Sequence, residues 1–382
     1  MRTRICDVFG IEYPIFAFTH CRDVVAAVSR AGGLGVLGAV GFSDEQLDIE
    51  LSWIDAHVDG KPYGVDFIMP ASAEDAPAGD PQQMYEQIRA MIPERHRRFV
   101  EELIKRFELP ALPEGEAEFG GVLGWTAEIA RRQVEVAFAH PIKLMANALG
   151  SPPADIIERA HKQGIRVAAL AGKVKHAQGH VANGVDIVVA QGTEAGGHTG
   201  DIASMVLVPE VVDAVGSKVH VLAAGGIASG RQIAAALALG ADGVWTGSVW
   251  LTTAESDAPP EVMNSYLQAT SSDTVRTRSF SGKPARMLRT PWTDAWEASD
   301  SPGTLPMPLQ NILIAPAMSR FFHAHKEHLM FAPVGQVVGR LNQVRRVRDV
   351  IHEMVDEYIA TVGRLDAGLA VDTDKAASPL VG

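Results

Sequence analysis

The stretch that decides the fold is VLAAGGIASGRQIAAALALGADGVWTGS, residues 221–248. A strand-like apolar run, Val219–Ala223, enters Ala224-Gly225-Gly226-Ile227-Ala228-Ser229-Gly230, and helical spacing follows over Gln232–Leu239. Ser229 and Gln232 have capping-box spacing, which predicts a helix start close to the glycines. Gly243–Thr246 then reads as a second strand and runs into Gly247-Ser248. Strand, glycine turn, helix, strand is one βα unit, and its parallel strands are joined by a right-handed crossover. A glycine turn at a helix N-terminus offers backbone amides and the positive end of a dipole to an anion. Either turn alone also reads as glycine used for geometry. Two at adjacent units point to a phosphate held by the amides of Gly225, Gly226, Gly247 and Ser248.

Working outward, the same rhythm fills most of the chain. Candidate strands are Tyr13–Ala17, Leu34–Leu37, Tyr63–Met69, Ile142–Asn147, Ile165–Leu170, Asp186–Ala190, Val219–Ala223 and Gly243–Thr246. Helical patterns such as Val24–Arg30, Pro153–Gln163 and Val174–Ala182 separate them. Eight alternating units predict an α/β fold, a closed (β/α)₈ TIM-type barrel rather than an open doubly wound sheet. The glycine turns then follow the seventh and eighth barrel strands, where such barrels hold phosphate. The barrel is assigned to residues 1–71 and 120–255. Residues 72–119, rich in charge and proline, form a helical insertion that reads as a solvated decoration in preference to a lid or partner-binding arm. Residues 256–340 form a smaller, mainly helical unit. An arginine-rich amphipathic pattern begins at Gln336, with a C-terminal helix at 341–365 and a frayed tail at 366–382.

Gly33-Leu34-Gly35-Val36-Leu37-Gly38 matches GxGxxG, but a dinucleotide fingerprint needs its strand before the glycines and its helix after them. Here the helical pattern precedes and Leu34–Leu37 is itself the strand, with Gly32 and Gly33 expected to end the helix in left-handed conformation. The dinucleotide reading is rejected.

At the end of the sixth strand stands AQGTEAGGHTGD, residues 190–201. Gln191 and His198 fall on the same rim as the phosphate glycines, and Gly196 and Gly197 leave backbone that a planar ring can approach. A loop histidine is commonly a hydrogen-bonding spectator, but His198 on this rim fits a general base or acid, with an unperturbed pKa near neutrality. Other histidines carry less. His176 and His180 are one helical turn apart, yet no carboxylate stands between them, and an outer barrel helix points such residues at solvent. His323, His325 and His328 lack a third-ligand context, so no metal site is assigned. His20 and Cys21 follow the first strand; a thiolate there needs an activating base that the sequence does not reveal.

At 382 residues, 47% hydrophobic and 21% charged, the chain has the composition of an ordinary globular protein with a large interior. A formal net charge of −12 argues against nucleic-acid or anionic-membrane partners. Two cysteines make no disulfide framework, and no apolar run reaches the ~18 residues a membrane span requires. With no signal-peptide pattern at MRTRICDVFGIEYP, a cytoplasmic location is expected.

The segments AAVSRAGGLGVLG, VVAQGTEAGGHTG, VLAAGGIASGRQIAAALALGADGVWTGS and TRSFSGKPARML together resemble the nitronate monooxygenase (2-nitropropane dioxygenase) family, over roughly residues 11–70 and 140–290. AQGTEAGGH is shared with flavin-dependent enoyl-thioester reductases. The resemblance implies FMN on a (β/α)₈ barrel with a smaller helical domain over the flavin. It also implies that Gln191, Gly196 and Gly197 line the ring, that Gly225, Gly226, Gly247 and Ser248 hold the phosphate, and that His198 is the base for a nitroalkane or a polar group steering the nitronate. Two departures stand out. Where the family has a proline–methionine pair, this chain reads Ala17-Phe18-Thr19-His20-Cys21, and Asp66 replaces an asparagine beside the flavin N3–H and O2.

The expected activity is FMN-dependent oxidation of alkyl nitronates, such as propionate 3-nitronate, with O2 as the partner substrate. The alternative is an NAD(P)H-dependent flavin reductase of enoyl thioesters or quinones. A metal-dependent hydrolase on His176 and His180, and a non-catalytic flavin scaffold, complete the set. Oligomeric state is left open, a homodimer among the options.

Overall fold

The computed structural model describes residues 1–69, 81–113 and 127–375. Numbered along the chain, its strands are β1 (Ile15–Thr19), β2 (Leu34–Gly38), β3 (Tyr63–Phe67), β4 (Leu144–Asn147), β5 (Arg166–Ala171), β6 (Ile187–Gln191), β7 (Gly197–His198), β8 (His220–Ala224), β9 (Gly243–Thr246), β10 (Thr274–Thr277) and β11 (Ala285–Leu288). Eight of them, in the order β1-β2-β3-β4-β5-β6-β8-β9, close a parallel barrel. Helices lie between successive strands, as in a TIM barrel.

Side-chain alternation along each strand sets what faces the lumen. Phe16, Leu34, Val36, Leu144, Ala146, Ala168, Ile187, Val189, Leu222 and Trp245 form one inner cluster. The alternate residues, among them Leu37, Val65, Met145, Val188 and Val221, pack outward under the helices. A short helix, Arg4–Phe9, gives Ile5, Cys6 and Phe9 to the inner cluster. Thr3 and Arg4 bond Asp242, one residue before β9, so this helix stoppers the N-terminal end of the barrel. Apolar side chains fill the lumen from that end, which leaves the C-terminal mouth for chemistry.

β2 is the strand of the GxGxxG stretch, and the helix Arg22–Arg30 precedes it. Only Gly32 is left-handed, at φ +95°; Gly33 is glycine because a Cβ would stand 2.8 Å from the Ile15 carbonyl oxygen.

The cover over the mouth contains more than helices. β10, β11 and β7 form a three-stranded antiparallel sheet, so the loop after β6 belongs partly to the barrel and partly to the cover. Helices Pro81–Ala90 and Glu94–Arg106, from the insertion, pack on helix Leu309–His323. Ile92, Val100 and Leu103 share one apolar core with Trp292, Trp296, Ile312 and Phe321. The described part of the insertion is thus built into the cover rather than solvated on all sides; residues 70–80 and 114–126 lie outside the described residues, as does the tail from 376. The C-terminal helix is Val347–Lys375, shifted from the expected 341–365. A short 3-10 turn, Gln336–Arg340, occupies the start of the amphipathic pattern, because that segment is tied down across the mouth. No helix among the described residues is long and apolar enough to cross a membrane.

Candidate active site at the barrel mouth

The β6 end opens the site. Gln191 continues the inward alternation of Ile187 and Val189 and pairs in register with Ala224. Beyond it the loop is stitched down on both sides. The Glu194 carboxylate accepts from the Ser204 amide and, at 2.8 Å, from its hydroxyl, which anchors the loop to helix Ser204–Val215. Buried Arg286 donates to the Thr193 carbonyl at 2.9 Å and to Thr274 Oγ1 at 3.1 Å, fixing the loop to the small sheet. Gly196 departs from expectation: a Cβ there would lie 2.7 Å from the Gly335 nitrogen, so its missing side chain serves the chain crossing at 334–335. Gly197, at φ +71°, has open space where a side chain would stand.

His198 is thereby held in sheet register, opposite Ala285 of β11. Its Nε2 lies 2.6 Å from the hydroxyl of fully buried Ser281, and its ring lies 6.3 Å from that of Phe280. Solvent reaches the imidazole, yet protein crowds it on most sides, as for a side chain lining an open cleft. That crowding, and then the Lys283 cation, pull its pKa down to about 4, so it is neutral at physiological pH.

The corners after β8 and β9 make the second part of the site. Gly225 and Gly226 are left-handed at φ +105° and +69°, and a Cβ on Gly225 would stand 2.8 Å from Ser204 Oγ and 3.1 Å from the Gly192 carbonyl oxygen. Among the described residues, the amides of Gly225, Gly226, Gly247 and Ser248 donate to no protein acceptor. The Ser248 hydroxyl accepts from the Gly335 amide at 2.8 Å, and Gln336 donates to the Glu194 carbonyl at 2.9 Å. The 335–336 crossing therefore ties the β9 corner to the β6 loop. Ser229 caps helix Gly230–Ala238 as its spacing predicts, but Gln232 Oε1 reaches back to the Ala228 amide rather than to Ser229's own. Several partly exposed amides with no internal acceptor, gathered at adjacent corners, have the donor chemistry that an anion requires.

The wall across the mouth, at β1 to β3, is the third part. His20 follows the inward Phe18, and its ring covers Gly38, where a Cβ would stand 2.5 Å from it. Like His198 it is reached by solvent but crowded by protein, which lowers its pKa. Asp66, cross-strand from Gly38, is 4% exposed, and its Oδ1 has no hydrogen-bond partner.

All nine residues singled out from the sequence thus stand on or just beyond the C-terminal ends of β3, β6, β8 and β9, or in β7. Those set aside lie elsewhere or are committed. His180, expected at solvent, is buried with both ring nitrogens engaged, by Ser151 Oγ at 2.8 Å and the Leu170 carbonyl at 3.0 Å, whereas His176 is exposed. Cys21 donates to the Glu255 carbonyl, and burial raises its pKa, so it remains a thiol. Among the described residues no group of three or more His, Cys, Asp or Glu is placed to hold a metal. The sequence reading missed Glu194, Ser281, Arg286 and Gly335, whose roles exist only through contacts distant in the chain.

A TIM barrel with uncommitted backbone amides and a neutral imidazole at its C-terminal mouth has the parts of a barrel enzyme. The nitronate monooxygenase family profile matches residues 2–357, and the chain belongs to that family. The family is one of flavin-dependent oxidoreductases, and the chain is an oxidoreductase. It is 55% identical, over 96% of its length and 98% of the relative's, to a Mycobacterium tuberculosis protein provisionally named a monooxygenase. It is 30% identical, over 82% and 85%, to a probable nitronate monooxygenase of Staphylococcus aureus. Among solved structures it resembles nitroalkane oxidase from Streptomyces ansochromogenes (TM-score 0.76, 25% identity, 94% of this chain and 99% of that one). It also resembles FabK from Thermotoga maritima (TM-score 0.71, 26% identity, 96% and 99%).

Proposed function

We propose that this chain is an FMN-dependent nitronate monooxygenase that oxidises alkyl nitronates, such as propionate 3-nitronate, with dioxygen. The observation that carries the reading is the set of uncommitted amides at Gly225, Gly226, Gly247 and Ser248, facing the same mouth as His198. A phosphate monoester fits those donors. Gln191, the open side of Gly197 and the unpartnered Asp66 Oδ1 fit a flat polar ring between the corner and the opposite wall, with Gly196 supporting the loop from behind. When bound there, FMN would supply the redox chemistry that couples nitronate oxidation to dioxygen.

The protein's part is positioning and proton handling. Ser281 lies 3.4 Å from the Lys283 carbonyl, and donation of its O–H there leaves a lone pair for His198 Nε2–H. In that tautomer His198 Nδ1 carries the free lone pair that accepts a proton from the carbon beside a nitro group. Lys283, which lowers the imidazole pKa, also draws an anionic nitronate toward the ring. β7, paired with β11, holds the imidazole in a cleft that protein crowds on most sides.

Mixing the flavin-loaded protein anaerobically with propionate 3-nitronate is expected to bleach the flavin, and admitting oxygen to restore its colour. A flavin unaffected by nitronate but bleached by NADH or NADPH would contradict the reading and select a flavin reductase of enoyl thioesters or quinones.

A further inference from the structure

The Asp66 carboxyl has no counter-charge. It is almost wholly buried, its Oδ1 has no partner, and among the described residues no cation pairs with it. Its cross-strand neighbours are Gly38 on β2 and Ala146 on β4, neither of which carries charge, and the Phe67 amide is the one group that favours its ionised form. A titratable side chain beside this rung is His20, whose ring lies over Gly38. His20 Nδ1 lies 3.1 Å from the Gly38 carbonyl, which can only accept, so Nδ1 carries a proton. Crowding by protein lowers the His20 pKa, which favours the neutral ring over a counter-ion.

An ionised carboxylate is costly in such a place. A protonated one presents one O–H donor and one C=O acceptor, the pattern of a carboxamide. Burial pushes the Asp66 pKa up to about 7, which makes the proton available at physiological pH. In strand order β3 stands on the far side of the mouth from β8 and β9, so a ligand anchored by phosphate at that corner brings its other end to Asp66.

We propose that Asp66 binds the flavin as a neutral carboxylic acid, its C=O accepting from the imide N–H and its O–H donating to a neighbouring ring carbonyl, so that cofactor binding is linked to one proton. The proposal rests on the FMN reading above. Where the free protein holds Asp66 ionised, binding takes up a proton from solvent; where it is already protonated, none is exchanged. Affinity is then constant below about pH 7 and weakens about tenfold per pH unit above it. His198, with its pKa pulled down to about 4, is neutral from pH 6 to 9, and the lowered pKa of His20 favours its neutral form there.

The test is FMN titration of the cofactor-free protein between pH 6 and 9, followed by flavin fluorescence, for wild type and Asp66→Asn. The ratio of their dissociation constants cancels the phosphate's own titration. It is expected to be flat below pH 7 and to rise about tenfold per unit above it. Independently, the wild-type complex at pH 8 should show the infrared carbonyl band of a protonated carboxyl, shifted by isotopic labelling of aspartate. FMN bound by both proteins with a ratio unchanged from pH 6 to 9, or a complex lacking that band, overturns this proposal alone. FMN bound by neither protein at pH 6 overturns the cofactor reading as well.

Discussion

Turnover of a neutral nitroalkane is expected to fall about 10²–10⁴-fold in His198→Asn, the range a general base contributes. Turnover of the preformed nitronate should fall far less, because no proton has to leave carbon. The asymmetry follows from the environment of the ring. With its pKa drawn down to about 4, His198 is unprotonated from mildly acid pH upward, and loss of the base form is confined to pH values near 4 and below. The same depression makes it a weak proton acceptor, so wild type should already prefer nitronates over their parent nitroalkanes. Steady-state kcat/KM for both substrate forms, with and without the substitution, measures this. Equal losses on nitroalkane and nitronate would assign His198 to binding, and an acid limb near the ordinary histidine pKa would refute the crowded, cation-neighboured imidazole.

Gly225→Val should weaken FMN binding in a protein that still folds. At φ +105° a β-branched residue is strained by about 1–3 kcal/mol. Its Cβ would also press on Ser204 Oγ and on the Gly192 carbonyl, within 3.1 Å of both. The corner must shift to relieve this, carrying the free amides of Gly225 and Gly226 with it. An FMN affinity loss of about tenfold or more is expected, since each 1.4 kcal/mol is worth about a factor of ten. Riboflavin, which lacks the phosphate, should lose less. Unchanged FMN affinity in a variant with native circular dichroism would show that the β8 corner does not hold the phosphate.

The barrel was legible because its period is local. Most barrel strands are short apolar runs stopped by glycine or a polar residue, and the sequence reading places all eight within two residues at either end. The glycine corners were legible for the same reason. What escaped depends on contacts between distant segments. β7 is two residues long and carries no periodicity; it exists because β11 pairs with it. Gly196 looks in sequence like room for a ligand, and only the fold reveals Val334 and Gly335 lying against it. His180 reads as a surface histidine until Ser151 and the Leu170 carbonyl close around it. The insertion reads as solvated from its charge and proline, although Ile92, Val100 and Leu103 give it a buried face under the cover. Asp66 was noticed as a departure from a resembled pattern, but its want of a partner follows from the bare neighbours Gly38 and Ala146, which no local pattern announces.

The most direct measurement is to identify and count the cofactor in the purified protein, and to locate its phosphate in crystals of the complex. The account predicts one FMN per chain, its phosphate on the amides of Gly225, Gly226, Gly247 and Ser248 and its ring beside His198. A colourless protein that takes up no FMN, or a flavin whose phosphate lies away from those corners, would contradict it.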